Sequence, residues 1–358
     1  MICRPRSIDD VQEVVRERTR IRPRGGGTKT ALSAPADGET VVDMSGLTGV
    51  VEYDPGEFTF SALAGTPVRE VEALLAQHGQ YLPFDPPLAA AGATLGGTVA
   101  AGLSGPRRYR YGGVRDFVLG VRFVDGEGRV VRGGGKVVKN VAGFDFPKLM
   151  VGSLGRLGVL VELSFKVFPR PRSYATVHVE RADMSAAVEA LKDLYVSRFD
   201  IEALDLEPPG VLWVRIGGLS ESLDVRLQRL LEFLGRAARV LRGDEEVALW
   251  ESVREFSWVP AGCSLVKVSI TPGRVTALEE RLAAREPARR YSVGGNLAWV
   301  ACPGDLGDLD AILTSVGLAG LCVLGPPGRV RLGAWGDGVF AERVKRALDP
   351  GGRFGRIA

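Results

Sequence analysis

Histidine is nearly absent from this chain: His78 and His178 are the two in 358 residues. Cysteine is scarce as well, and Cys3, Cys263, Cys302 and Cys322 never fall close enough for a C-x-x-C pair. A zinc or iron–sulfur centre of ordinary construction is therefore not expected, because both draw on thiolates and imidazoles at short spacing. A disulfide-stapled secreted scaffold is excluded, and a reducing cytoplasm is the simpler setting. Charge of one sign is missing too. Lys and Arg total 46 against 43 Asp and Glu, a net +3 that is too balanced to indicate nucleic acid or a membrane surface. The longest uncharged stretch, Pro86 to Pro106, has the length to span a bilayer but carries five glycines and three prolines. Such content inserts poorly, so no transmembrane segment is expected. The opening MICRPRSIDDVQEVV lacks the apolar core of a signal peptide, which also favours a cytoplasmic location.

What is present is an ordinary globular composition, 45% hydrophobic and 25% charged, long enough for two domains with separate cores. SIDDVQEVVRERT reads as an amphipathic helix capped by Ser7. TPVREVEALLAQHG reads as a second helix, with Thr66 as cap, Pro67 at its start and Gly79 at its close. VLGVRFVDGEGRVVRGG is a hairpin turning at Asp125 to Gly128, and GVLVELSFKVFP alternates as a half-buried strand does. Composition changes near Pro169-Arg170-Pro171-Arg172, after which two β-α-β-β-α runs follow, suggesting a sheet with helices on one face. The expected architecture is α+β: a first domain over 1–170 with mixed sheets, joined by the tail 336–358, and a second α+β domain of ferredoxin-like repeats over 171–335.

Glycine concentrates in the first half. Consecutive glycines can turn their amides toward one anion, so Arg24-Gly25-Gly26-Gly27-Thr28 is a candidate diphosphate cradle, although an isolated GGG is more often a plain turn. It lacks the G-x-G-x-x-G spacing of a Rossmann turn, TALSAPADG after it does not read as a helix, and Lys29 is not placed as in a P-loop. Thr94 to Gly102 reads as a turn entering a small-residue helix, whose backbone can approach a flat ligand and whose N-terminus suits phosphate. Gly152 to Val159 leads into a strand and has the same two readings, ligand contact or close packing. Three such elements together point to a large ligand bearing phosphates.

Four segments carry a family resemblance: RPRGGGTKTALS (22–33), ATLGGTVAAGLSGPRRYRYGGVRDFVLGVRFV (93–124), GGKVVKNVAGFDFPKLMVGSLGRLGVLVELSFKVFP (134–169) and KRALDPGGRF (345–354). They resemble the FAD-binding proteins of the vanillyl-alcohol oxidase and p-cresol methylhydroxylase class. VKNVAGFD (138–145) and the short second domain are most similar to the FAD-binding subunits of bacterial glycolate oxidases. The resemblance implies that Arg24, Gly25, Gly26, Gly27, Thr28 and Lys29 wrap the FAD diphosphate, with Ser33 adding a hydroxyl. It puts Pro86 and Pro87 near the flavin ring and runs Thr94, Gly96, Gly97 and Ala100 beside diphosphate and ring. It lines the flavin side with Ser104, Gly105, Tyr111 and Gly112, and the adenine end with Val118, Gly158 and Val159. Some members attach the flavin through a histidine where Thr28 stands, so FAD is expected to be non-covalent here.

The implied reaction is oxidation of a 2-hydroxy acid such as glycolate, with a flavin accepting the hydride and a cation holding the carboxylate. The implied partners are a larger FAD-containing subunit and an iron–sulfur subunit, with any membrane association supplied by them. Related dehydrogenases carry histidines, often with a metal, in the second domain. Here only His178 lies there, on YATVHVE, which reads as a half-exposed strand residue; no metal site and no catalytic residue is assigned. Arg107-Arg108-Tyr109-Arg110-Tyr111 interleaves basic and aromatic residues, as nucleic-acid binders do, but one patch at this net charge fits flavin-edge or carboxylate contacts better. Lys139, Asn140 and Asp145 read as loop anchors at least as readily as catalytic groups, and Phe144 stands where close relatives often carry Tyr. Two alternatives remain: a stand-alone FAD-dependent D-lactate-type dehydrogenase, and a flavin-binding relay or structural subunit without its own active site.

Overall fold

The computed structural model describes residues 1–135, 143–235, 238–283, 285–336 and 338–355. Contacts between Cα atoms divide the chain into two units, one of Met1–Ser104, Gly113–Arg170 and Gly336–Ala358, the other of Gly105–Gly112 and Pro171–Trp335. The excursion Gly105–Gly112 thus leaves the first unit, although it falls inside the sequence range 1–170.

In the first unit, the helix Ile8–Glu17 starts where Ser7 and Asp10 cap each other's backbone amides, both at 3.1 Å. Its buried Val11 and Val15 recur at i, i+4 and face a core containing Ile21, Val42, Met44, Val159, Val161 and Phe354. Ile2–Cys3, Thr40–Asp43 and Ile21–Arg24 form a parallel sheet with Thr40–Asp43 in the middle. The tail returns to that edge: Ile21 N–H donates to Arg353 O at 2.7 Å, and Ile21 bridges Phe354. A second sheet is antiparallel, in the order Val50–Asp54, Thr59–Leu63, Val159–Lys166, Val118–Val124, Val130–Gly134. Its hairpin turn is fixed by Asp125, whose carboxylate accepts from the amides of Glu127 and Arg129.

Two local expectations for this unit need correction. The helix Val68–Ala76 has no side-chain cap, because the Thr66 hydroxyl is bonded instead to both backbone groups of Gly49. TALS does form one helical turn, Thr30–Ser33.

The second unit is built on a nine-stranded sheet of two ferredoxin-like halves. In each, the first strand lies inside, flanked by the third and fourth, which gives the order 4-1-3-2. Ser173–Glu180, Ile201–Glu207, Val211–Gly218 and Arg239–Arg242 make one half. Cys263–Ser269, Ala288–Ser292, Leu297–Pro303 and Ala319–Leu324 make the other, with Arg331–Gly333 added at its edge. The halves meet where Leu206 pairs with Tyr291.

Helices are not confined to one face. Helix Gly243–Arg254 covers the side to which Thr176 and Arg215 point: the Thr176 hydroxyl accepts from Trp250 Nε1 at 2.8 Å, and Glu246 takes Arg215 at 2.7 Å. The adjacent strand positions, Val177 and Val214, face the opposite way because side chains alternate, and they are buried as well. Among the described residues no helix is long and apolar enough to cross a membrane.

Candidate functional site

The strand Ile21–Arg24 runs directly into Gly25-Gly26-Gly27-Thr28, where Gly27 adopts a left-handed φ of 67°. Gly25 and Gly26 are glycine for a different reason, close approach. A Cβ on Gly25 would sit 2.1 Å from Thr94 Oγ1, and one on Gly26 would sit 1.9 Å from Gly92 O. The loop is therefore pressed against the turn that opens helix Leu95–Ala101. That helix is itself docked tightly, since a Cβ on Gly96 would meet Ala64 at 2.9 Å. The Gly152–Gly155 turn is hung on the same helix, with Gly152 N–H donating to Val99 O and Leu154 N–H to Ala100 O.

These three segments wall one cleft that is open to solvent, with about 710 Å³ of empty space counting the solvent at its mouth. Its wall includes Arg24, Gly25, Gly26, Gly27, Thr28, Lys29, Ser33, Thr94, Gly96, Gly97, Ala100, Gly158 and Val159, all named from the sequence. Pro23, Met44, Ala64, Leu154, Gly155 and Leu160 also line it and were not foreseen. Pro23 and Gly155 lay inside recognised segments, whereas Met44, Ala64 and Leu160 are brought in by the sheets and carry no local signal.

Among the described residues the wall holds two cations, Arg24 and Lys29, and no carboxylate. Lys29 is 5% exposed, with its ammonium 3.2 Å from the Thr28 hydroxyl. Arg24 lies 3.7 Å from Asp43. Burial raises the Asp43 pKa, but hydrogen bonds from Ser45 and Arg4 outweigh it and keep that carboxyl below the usual carboxylate range. Among the described residues no acceptor faces the amides of Gly25, Gly26, Gly27 and Thr28. The loop can therefore donate several backbone hydrogen bonds to an anionic ligand.

Helix Leu95–Ala101 plays another part than its sequence suggests. Its first amides are already used: Leu95 donates to Thr66 O, Gly96 to Ala64 O and Gly97 to the Thr94 hydroxyl. No phosphate is received there by a free N-terminus; the small residues allow close passage of a ligand instead.

Seven further positions named from the sequence stand outside the cavity wall. Pro86 and Pro87 are buried in the turn between Leu82 and Gly92. The Ser104 hydroxyl accepts from Val114 N–H at 2.9 Å. Val118 is 6% exposed and paired with Phe165 within the antiparallel sheet. Gly105, Tyr111 and Gly112 belong to the second unit, where the Tyr111 hydroxyl donates to Glu202 at 2.7 Å. Of VKNVAGFD, positions 138–142, with Lys139 and Asn140, lie outside the described residues; Asp145 caps the short helix Phe146–Met150 and Phe144 is 85% exposed.

The histidines take up ring contacts. His78 meets Tyr53 edge-on at 5.2 Å, and His178 lies 4.5 Å from the Trp213 ring. Among the described residues no group of three His, Cys, Asp or Glu side chains could hold a metal ion.

The sequence profile of the FAD binding domain family matches residues 1–134. Glycolate oxidase subunit GlcE of Escherichia coli strain K12 is 34% identical over 363 residues, covering 97% of this chain and 94% of that protein. The chain belongs to this family of FAD-binding glycolate oxidase subunits. Glycolate oxidase subunit GlcD of Bacillus subtilis strain 168 is 29% identical over 59% of this chain, which spans 46% of that protein. A D-2-hydroxyglutarate dehydrogenase of Xanthomonas citri pv. viticola is 34% identical over 48% of this chain and 37% of its own length. Among solved structures, an alkyldihydroxyacetonephosphate synthase superposes with a TM-score of 0.74 at 17% identity, over 98% of this chain and 76% of that one. That likeness establishes the α+β fold and nothing about substrate.

Proposed function

We propose that this chain is the FAD-binding subunit of an enzyme complex that oxidises a 2-hydroxy acid, glycolate to glyoxylate, and that its first unit holds the FAD without a covalent bond. One observation carries the reading: among the described residues the amides of Gly25 to Thr28 have no protein acceptor, and these residues line, with Lys29 and Arg24, a cavity to whose wall no described carboxylate contributes. A dinucleotide's diphosphate supplies the negative charge and acceptor oxygens that this wall lacks.

In this reading the loop from Arg24 to Lys29 holds the diphosphate. Thr94, Gly96, Gly97 and Ala100 give the extended ligand a surface without bulky side chains, and Gly158 and Val159 take the adenine end. FAD bound there supplies a two-electron acceptor for the substrate's hydride. Thr28 offers a hydroxyl where covalent members use an imidazole, so the flavin leaves on denaturation. The second unit serves as the substrate or cap domain. A larger FAD-containing subunit and an iron–sulfur subunit complete a cytoplasmic complex.

The test is an absorption spectrum of the purified full-length protein, then anaerobic addition of glycolate. Flavin bands that bleach with glycolate, and flavin found in the supernatant after acid precipitation, are the expected results. Protein purified colourless and unable to take up FAD overturns the reading. Rapid bleaching by D-lactate but not glycolate, by the chain alone, replaces it with the stand-alone dehydrogenase.

A further inference from the structure

Three charged residues stand in one row where the parallel strands of the first unit end. Arg24 and Asp43 are register partners on Ile21–Arg24 and Thr40–Asp43. Arg4 follows Ile2–Cys3, whose Cys3 is paired with Val42 on the other side of the middle strand. The order across the sheet is therefore Arg4, Asp43, Arg24. Arg24 lines the cavity and Asp43 does not, although its neighbour Met44 does.

Both arginines reach for the same atom. Arg4 donates to Asp43 Oδ2 twice, from Nε at 3.2 Å and from Nη2 at 2.9 Å. Arg24 approaches that oxygen to 3.7 Å, an ion pair outside hydrogen-bonding distance. The other carboxylate oxygen accepts the Ser45 amide at 3.1 Å. The stem of Arg4 is pressed against the turn that follows Asp43, since a Cβ on Gly46 would meet its Cγ at 2.8 Å. The stem of Arg24 folds back along the glycine loop, where a Cβ on Gly27 would lie 3.7 Å from its Cδ. Among the described residues none of the Arg24 guanidinium N–H groups has a hydrogen-bond acceptor.

Asp43 is 4% exposed, so water screens its charge poorly and the carboxylate competes with any anion for Arg24. The two hydrogen bonds from Arg4 fill Oδ2 and offset that charge from the far side of the row. We propose that Arg4, which does not line the cleft, is a positioning residue for the cofactor: by holding Asp43 it keeps the Arg24 guanidinium available to the diphosphate. This role rests on the reading of the cleft as an FAD site. Without Arg4, a short shift from 3.7 Å to the 2.9 Å that Arg4 now holds would give Oδ2 to Arg24, and the wall would lose that cation to the protein's own carboxylate.

The test is fluorescence titration of the full-length apoprotein with FAD in the parent, in Arg4→Gln and in Arg4→Gln/Asp43→Asn, with circular dichroism to verify the fold. Arg4→Gln, at a position whose side chain is 63% exposed, is expected to raise the FAD dissociation constant by about tenfold, as for one charge-assisted hydrogen bond. Adding Asp43→Asn keeps an acceptor for the Ser45 amide and removes the competing charge. The double variant should return to within about threefold of the parent, a non-additivity expected of residues in one network. A purely structural part for Arg4 predicts the opposite, because a second lost contact compounds the first. An unchanged constant in Arg4→Gln, or a double variant as weak as the single or weaker, overturns the proposal and leaves the FAD site standing. A parent that takes up no FAD overturns the site itself and the positioning role with it.

Discussion

A Cβ placed on Gly26 would fall 1.9 Å from the carbonyl oxygen of Gly92, so the glycine loop and the turn before helix Leu95–Ala101 are in direct backbone contact. Neither partner can give way cheaply, because the atom met is main chain. Gly26→Ala is therefore expected to displace the loop and lower the flavin retained per protein by at least about tenfold. The check is the ratio of flavin to protein absorbance after purification, with circular dichroism to establish that the rest of the fold persists.

Lys29 contributes a buried positive charge to the same wall. Lys29→Met keeps most of its volume and removes the charge. The FAD dissociation constant should rise by about tenfold to a hundredfold, as for the loss of one charge-assisted contact. Fluorescence titration of the apoprotein with FAD measures this directly. An unchanged constant would remove Lys29 from the cofactor's reach.

The returning tail predicts a stability effect far from residue 1 in sequence. Phe354 is 1% exposed and sits with Val11, Ile21 and Val42 in one core. Asp349 holds the tail in place, accepting from the amides of Arg353 and Phe354 and from the Lys345 ammonium. Phe354→Ala should cost about 3–5 kcal/mol of stability through the cavity it leaves. Urea unfolding of parent and variant tests the size, and a midpoint that does not move contradicts it.

Lys267 has a consequence for stability against pH. It loses its proton near pH 8 when folded and near 10.5 when unfolded. Between those values the unfolded state binds more protons, so stability rises with pH across the window. Below about pH 8 the folded state carries the full cost of the charged, unpaired ammonium, at most about 3 kcal/mol. Lys267→Met should thus be more stable than the parent at pH 7, and its advantage should shrink as pH is raised from 8 to 10.5. Paired urea midpoints across that range decide the matter; an advantage that is constant with pH refutes the assignment.

The sequence made the glycine loop legible because a left-handed turn and two close backbone approaches all demand the same residue, at Gly25, Gly26 and Gly27. The α+β order of the second unit was legible for a related reason: strand and helix periods alternate cleanly there. Other features depend on which long-range partner wins. Thr66 has the residue type and position of a helix cap, yet Gly49 claims its hydroxyl. Helix Gly243–Arg254 was hidden because its buried positions are Glu246, Trp250 and Val253, and a carboxylate in the core breaks the apolar rhythm. Lys267 reads as the solvent side of an alternating strand, since nothing local says that Trp299 and Leu321 will flank it. Met44, Ala64 and Leu160 reach the cavity only through sheet pairing, for which single-strand patterns hold no information.

The tail's place in the fold also sets an order of assembly. Every residue of the second unit has been synthesised once Trp335 is made. The nucleotide-binding unit, begun first, lacks Phe354 in its core until the ribosome reaches position 354. Closure of the first unit's core thus waits until the chain has passed position 354, after every residue of the second unit has been made.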